Sequence, residues 1–235
     1  MNFTGAHILT VSQFQREDVD RVFSTADSME PYALRKRVTR VLEGAILGNM
    51  FFEASTRTRV SFGSAFNLLG GEVRETAGFE SSALVKGESL QDTARVLSGF
   101  SDVICMRHPE DGSVADFAEA SRVPVINGGD GSNEHPTQAL LDLYTIRREL
   151  LDKGKNINGL SIAMIGDLRH GRTVHSLTKL LSLYDGMRVT LVSPRELSLP
   201  DGIVESMRNA GVDVSIRHEL AKSIVDVDIV YSTRI

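Results

Sequence analysis

Short apolar runs alternate along the chain with longer stretches whose apolar positions recur at helical spacing. The runs at 45–52 (AILGNMFF), 102–106 (DVICM) and 123–127 (VPVIN) have the length and apolar density of buried strands. Between them, 58–69, 89–100 and 114–120 read as amphipathic helices, and PTQALLDLYTIRRELL at 136–151 reads as a longer one. Its leading proline and its apolar Ala139, Leu140, Leu143 and Ile146 fit a helix with one stripe facing a core. The polar stretch DKGKNINGL then interrupts the pattern. After it the alternation restarts, with strands in SIAMIGD, MRVTLVS, VDVSI and VDIVYST and helices over 174–183 and 203–210.

Strand–helix alternation on both sides of one polar junction predicts an α/β chain of two doubly wound domains with mainly parallel sheets, 1–152 and 153–235. The last strand runs into Ile235, so the second domain is expected to be incomplete in this chain. Composition changes the picture little: 41% of residues are hydrophobic and 24% charged, ordinary for a globular protein. The net charge of −5 changes it more. It argues against a general nucleic-acid binder and requires that any anionic substrate be met by locally gathered positive charge. The single cysteine, Cys105, allows no internal disulfide and reads as a small buried apolar side chain. The N-terminus lacks the pattern of a signal peptide, and no segment approaches the roughly 18 apolar residues of a membrane span. A cytoplasmic protein without membrane partners is the expectation.

Candidate chemistry gathers where strands give way to helices. In FFEASTRTR a strand ends near Phe52, and Ser55 or Thr56 stands where a helix cap belongs. Two readings compete: a capped, solvated helix start, or a site for a doubly charged anion. In the second, the positive helix terminus would act with hydroxyl donors from Ser55, Thr56 and Thr58 and the planar fork of Arg57. Arg59 has a structural alternative. Arg107 directly follows the DVICM strand and should project from the same sheet edge. His135 begins the 136–151 helix after the glycine-rich GGDGSNE, where it could donate to a developing oxyanion, while Gln138 could accept from an amide N–H. Arg172 opens a helix whose dipole it opposes, which invites a functional explanation. In the stretch around KGESLQD, Ser89 and Asp92 fit local capping, and Lys86 taken alone reads as solvated. Neither GxxxxGK[ST] nor GxGxxG occurs, His170 and His175 form no paired-ligand motif, and no nucleophile stands beside a base. The chemistry suggested is direct transfer between two bound substrates, without metal or cofactor.

Taken together, FFEASTRTR, KGES, MRHP, GDGSNEHPTQALLDLYTI and GDLRHGRTVHSLT resemble the catalytic chain of the aspartate carbamoyltransferase family in order and spacing, over essentially all 235 residues. The resemblance implies transfer of the carbamoyl group of carbamoyl phosphate to the amine of L-aspartate. It implies that Ser55, Thr56, Arg57 and Thr58 hold the phosphate, with Arg107 reaching both phosphate and carbonyl oxygen. Thr58, Arg107 and His135 would stabilise the oxyanion, and Gln138 would orient the carbamoyl amide. Arg172 and Arg234 would bind the aspartate carboxylates, and Glu53 would orient those arginines. It also reverses the reading of Lys86, which in the family reaches a neighbouring subunit's site together with a serine; counting back favours Ser82 over Ser81. A homotrimer with shared active sites follows, with regulatory chains as possible further partners. The family continues past Ile235, so the aspartate half is expected to be partial. The competing readings are a carbamoyltransferase with another amine acceptor, and a non-catalytic assembly subunit.

Overall fold

The structure, a computed structural model, describes residues 1–77 and 87–234. The chain forms two compact units, Met1–Pro136 and Thr137–Ile235.

In the first unit, a short 3-10 turn (Val11–Gln13) precedes α1 (Arg16–Ala33), β1 (Ile46–Phe51), α2 (Thr56–Leu68), β2 (Glu72–Ala77), α3 (Leu90–Leu97), β3 (Val103–His108), α4 (Ser113–Ala120) and β4 (Val125–Asp130). The strands pair in the order β2-β1-β3-β4, all parallel. Strand alternation sorts the core into two faces. Leu47, Phe51 and Cys105 pack with Phe62 and Phe66 of α2, while Met50, Phe52, Ile104 and Met106 pack with Ala94 of α3 and Val114, Phe117 and Ala118 of α4. Helices on both faces of a parallel sheet are the doubly wound arrangement expected.

The second unit continues with α5 (Pro136–Leu151), β5 (Ser161–Ile165), α6 (Arg172–Leu181), β6 (Arg188–Val192), α7 (Asp201–Asn209), β7 (Asp213–Arg217), α8 (Leu220–Ser223) and β8 (Ile229–Ser232). Its sheet order is β7-β6-β5-β8, again parallel. On α5 Ala139, Leu143 and Ile146 of the expected stripe are buried and Leu140 is half-buried, while Leu150 extends the buried face by a turn. The polar stretch after it is fastened by Asp228, whose carboxylate accepts from Lys155 Nζ at 2.8 Å, Ser161 N at 3.0 Å and Ser161 Oγ at 2.8 Å.

Three of the helices and strands escaped the hydrophobic pattern: α1, β2 and the single-turn α8. Helix α1 buries only Asp18, Val19 and Phe23 in its 18 residues, too thin a stripe to register as periodic. Strand β2, EVRETA, is largely polar and lies at the edge of the sheet. The other corrections concern ends. Strand β4 is displaced towards its C-terminus relative to 123–127, so Gly128, Gly129 and Asp130 belong to the strand and not to the loop. Arg107 likewise lies within β3, opposite Phe51 in register, and not after the strand.

Candidate active site

Both sheets reverse their winding direction at one place. In the first unit the chain goes from β1 to β2 on one side and then to β3 on the other, so the switch falls between β1 and β3. In the second unit it falls between β5 and β8. At such a point the loops leaving the carboxyl ends of two adjacent strands run in opposite directions and open a crevice. Glu53, Ser55, Thr56, Arg57, Thr58 and Arg107 fall at the first of these places and Arg172 and Arg234 at the second, whereas His135 follows β4 and Gln138 lies on α5.

At the first switch, β1 leads through Glu53 to Ser55, the N-cap residue of α2, with extended φ −157° and ψ 103°. The Ser55 side chain makes no capping hydrogen bond, and the first turn of α2 carries no acidic residue. The helix therefore starts with its backbone donors uncompensated by its own cap, and the expectation that Ser55 or Thr56 serves as a side-chain cap is corrected. Thr56 and Arg57 are exposed and Thr58 is half-buried in the same turn. Arg59 has a structural role, because its guanidinium pairs with Glu75 of β2, whose other carboxylate oxygen accepts from the buried Asn49 amide at 3.0 Å. Asn49 also donates to Arg59 O at 3.0 Å, tying the helix start to the sheet beneath.

Across the switch, Arg107 Nε donates to Glu53 Oε2 at 2.9 Å and its Nη1 approaches Gly128 O at 3.4 Å. The backbone N–H of Phe52 donates to Arg107 O at 2.9 Å, so the two strand ends stay in register to the edge. Behind them His108 packs edge-on against Phe52, with centroids 5.7 Å apart, and burial holds its imidazole below the ordinary histidine range.

His135 is 4% exposed and ends the loop that follows β4. Buried carboxylates organise that loop. Asp130 Oδ1 accepts from Asn127 Nδ2 at 2.9 Å and Glu134 N at 3.2 Å, and Oδ2 accepts from Gly112 N and Asn133 Nδ2, each at 3.0 Å. Glu134, next to the histidine, accepts from Thr10 Oγ1 at 2.6 Å and from Val11 N at 2.8 Å. The N-terminal segment is thereby clasped to the His135 loop, and its Ile8 bridges to Ile126 of β4. Sequence reasoning missed Asp130 and Glu134. The available signal was two acidic residues flanking a tight polar turn between a strand and a helix.

In the second unit, Gln138 sits in the first turn of α5 and donates its amide Nε2 to Asp142 Oδ1 at 2.8 Å, while Tyr231 of β8 donates to Asp142 Oδ2 at 2.8 Å. At the switch between β5 and β8, Arg172 is the first residue of α6, as the sequence indicated. Arg234 follows β8, and its carbonyl accepts from Asp167 N at 2.9 Å. Gly166 permits that approach: its φ is +119°, and a Cβ there would stand 2.6 Å from Thr233 O. Asp167 Oδ1 in turn accepts from the backbone of Arg169 at 3.1 Å and His170 at 3.0 Å, shaping the turn that delivers Arg172. His170 Nδ1 lies 3.0 Å from Asp167 Oδ2, and His175 is buried with Nε2 3.0 Å from Leu168 O.

Ser89 caps α3 by accepting from Asp92 N at 3.0 Å, as expected. Ser81, Ser82 and Lys86 lie outside the described residues. Among the described residues, no group of three His, Cys, Asp or Glu side chains is arranged to hold a metal ion, and no helix is long and apolar enough to cross a membrane.

Two parallel-sheet units, each carrying arginines at its topological switch point, define the doubly wound α/β class, in which ligands bind outside the carboxyl ends of the strands. Comparison with known proteins gives this class a family. Residues 6–148 match the aspartate/ornithine carbamoyltransferase carbamoyl-P binding domain, and residues 158–235 match the Asp/Orn binding domain of the same family. The chain is 75% identical over all 235 residues to the aspartate carbamoyltransferase catalytic subunit of Cellvibrio japonicus, covering 70% of that protein. Its fold is similar to the catalytic subunit of M. jannaschii aspartate transcarbamoylase (TM-score 0.89, 45% identity, 97% of this chain and 74% of that one). It is similar too to the aspartate transcarbamoylase of Trypanosoma cruzi in complex with carbamoyl aspartate and phosphate (TM-score 0.91, 38% identity, 98% and 75% coverage). The chain belongs to the aspartate/ornithine carbamoyltransferase family.

Proposed function

We propose that this chain transfers the carbamoyl group of carbamoyl phosphate to the amine of L-aspartate, giving N-carbamoyl-L-aspartate and phosphate, a step of pyrimidine biosynthesis. The observation that carries the reading is the first switch point. There an α-helix start with no side-chain cap and no first-turn acid stands beside Arg107, in a chain whose net charge is −5. Such an edge suits a dianionic leaving group.

The reaction needs little covalent chemistry from the protein. The aspartate amine attacks the carbonyl carbon, and the carbonyl oxygen takes up negative charge. The bond from that carbon to the bridging oxygen then breaks, its electron pair leaving with phosphate, and the nitrogen loses a proton. Orientation and electrostatic stabilisation supply the acceleration. Ser55, Thr56, Arg57 and Thr58 hold the phosphate. Thr58, Arg107 and His135 donate to the oxyanion, and the loop hydrogen bonds through Asp130 and Glu134 keep the histidine in place. Gln138 presents its amide oxygen to the carbamoyl N–H group. Arg172 and Arg234, at the edge of the second sheet, take the aspartate carboxylates, with Glu53 helping to orient those arginines as it orients Arg107.

We assign residues 1–152 to the carbamoyl-phosphate half and 153–235 to the aspartate half, a reading that the polar stretch after Leu151 supports. Lys86 and Ser82 complete a neighbouring copy's site in a cytoplasmic homotrimer. No cofactor enters the scheme. The test is ureido-product formation by the purified chain from carbamoyl phosphate with aspartate or ornithine. Turnover with aspartate alone is expected, and ornithine-dependent turnover or none overturns the assignment.

A further inference from the structure

We infer that Asp142, held by Tyr231, is a positioning residue that fixes which end of the Gln138 amide faces the acyl group, and so selects an acyl group bearing an N–H donor. The inference rests on the proposed role of Gln138. Asp142 lies one helical turn beyond Gln138 on α5, the spacing at which glutamine and aspartate side chains meet. Its two oxygens are divided between two donors: Oδ1 receives Gln138 Nε2 and Oδ2 receives the Tyr231 hydroxyl, each at 2.8 Å.

An ionised carboxylate only accepts hydrogen bonds. It can therefore hold a glutamine amide by the nitrogen alone, which makes the oxygen the end that Gln138 presents elsewhere. An acceptor recognises the N–H of a carbamoyl group and gains nothing from a methyl group of the same size. Tyr231 keeps Asp142 from rotating out of this arrangement, and burial and the neighbouring carboxylate both push the phenol up, so it remains a donor at neutral pH. Burial also raises the Asp142 carboxyl, while the Tyr231 and Gln138 hydrogen bonds act against that rise. Both donors together thus help keep the group ionised. Tyr231 stands on the strand that ends before Arg234, so the carboxylate that orients the carbamoyl-reading amide is anchored on the element carrying a proposed aspartate ligand.

Replacement of Asp142 by asparagine reverses the logic. With the new side chain's oxygen accepting from Tyr231, its amide nitrogen turns to Gln138, which must flip and present its own N–H groups to the acyl site. The test compares binding of phosphonoacetamide with that of acetonylphosphonate, which share phosphonate and carbonyl groups and differ in NH₂ against CH₃. Calorimetry on the full chain reads the ratio without requiring turnover. Wild type should prefer the amide about tenfold, the value of one well-made hydrogen bond. Gln138→Ala should abolish that preference. A wild type without preference, or a Gln138→Ala variant that keeps it, defeats the role of Gln138 and the inference with it. If those controls hold, Asp142→Asn should bring the ratio to near one while leaving acetonylphosphonate affinity unchanged. Equal weakening of both probes, or an unaltered ratio, overturns the inference. Should Asp142→Asn not melt cooperatively, Tyr231→Phe decides: a preference reduced about threefold is expected once the carboxylate loses its anchor, and an unchanged one is the refuting result.

Discussion

Arg107 and Glu53 form a 2.9 Å ion pair across the point where the first sheet reverses its winding. The pair uses Nε and leaves the guanidinium aimed by its carboxylate partner. Replacing Glu53 by glutamine removes a negative charge from a site proposed to bind a dianion, and also loosens the aim of Arg107. These effects oppose each other in binding but not in turnover. Glu53→Gln should bind phosphonoacetamide at least as tightly as wild type while kcat falls about tenfold, equivalent to ~1.4 kcal/mol in the barrier. Parallel loss of affinity and kcat would contradict this account.

Arg57 is exposed in the first turn of α2, so its removal should cost activity without costing stability. Arg57→Ala and Arg107→Ala should each lower kcat/KM by roughly 10² to 10³, the usual loss for one preorganised donor to developing charge. Arg57→Ala should leave the melting temperature unchanged. Wild-type turnover in either variant would remove the phosphate-site assignment.

Gly166 connects backbone conformation to Arg234, the proposed aspartate ligand. With φ at +119° and Thr233 O 2.6 Å from where a Cβ would sit, an alanine must displace the segment that carries Arg234. The cost should be about 1–3 kcal/mol of stability. Gly166→Ala should raise the KM for aspartate several-fold more than that for carbamoyl phosphate, measured under saturation with the other substrate.

The Asp228 carboxyl, hydrogen-bonded first by Lys155 and then by Ser161, is held well below its ordinary value of 3.8. A carboxyl depressed in the folded state contributes stability that is present above the unfolded value and lost as pH falls through the folded one. Asp228→Asn should therefore be less stable than wild type at neutral pH, with the difference in melting temperature shrinking steadily below about pH 4. A difference independent of pH would assign the effect to geometry alone.

Burial pushes the Cys105 thiol far up, with the nearby Arg107 charge opposing only part of the shift. The native chain should react with a thiol-specific aromatic disulfide no faster than it unfolds, and stoichiometrically once denatured. Rapid labelling of folded protein would contradict the burial of β3.

How much of this was legible in the sequence depended on how local each signal was. Strands β1 and β3 and helix α5 announce themselves by apolar runs or by a stripe with a proline at its start, and α5 spans 136–151 as expected. The turn proposed to hold phosphate stood out as a candidate because hydroxyls and arginines cluster within a few consecutive positions. Asp130, Glu134 and Asp142 did not, since a buried carboxylate looks in sequence like a solvated one. Glu134 becomes intelligible only through Thr10, 124 positions away, and Asp142 only through Tyr231, 89 positions away. Strand β2 was missed for a related reason: an edge strand needs few apolar residues, because its neighbour, and not its composition, holds it in place.

The clasp between residues 8–13 and the His135 loop has a kinetic meaning. Asn127 Nδ2 donates to Leu9 O at 2.9 Å, and Glu134 holds Thr10 and Val11, so residues 9–11 wait for partners more than a hundred residues downstream. Contacts so distant along the chain are slow to form, because a long loop must close before they are rewarded. Helices and inner strands can assemble earlier, but the exposed edge of β4 stays open for pairing with foreign strands until Ile8 returns to cover it. Closure of that edge and seating of the His135 loop draw on the same segment, so a nascent chain loses its exposed pairing edge as that loop is fastened.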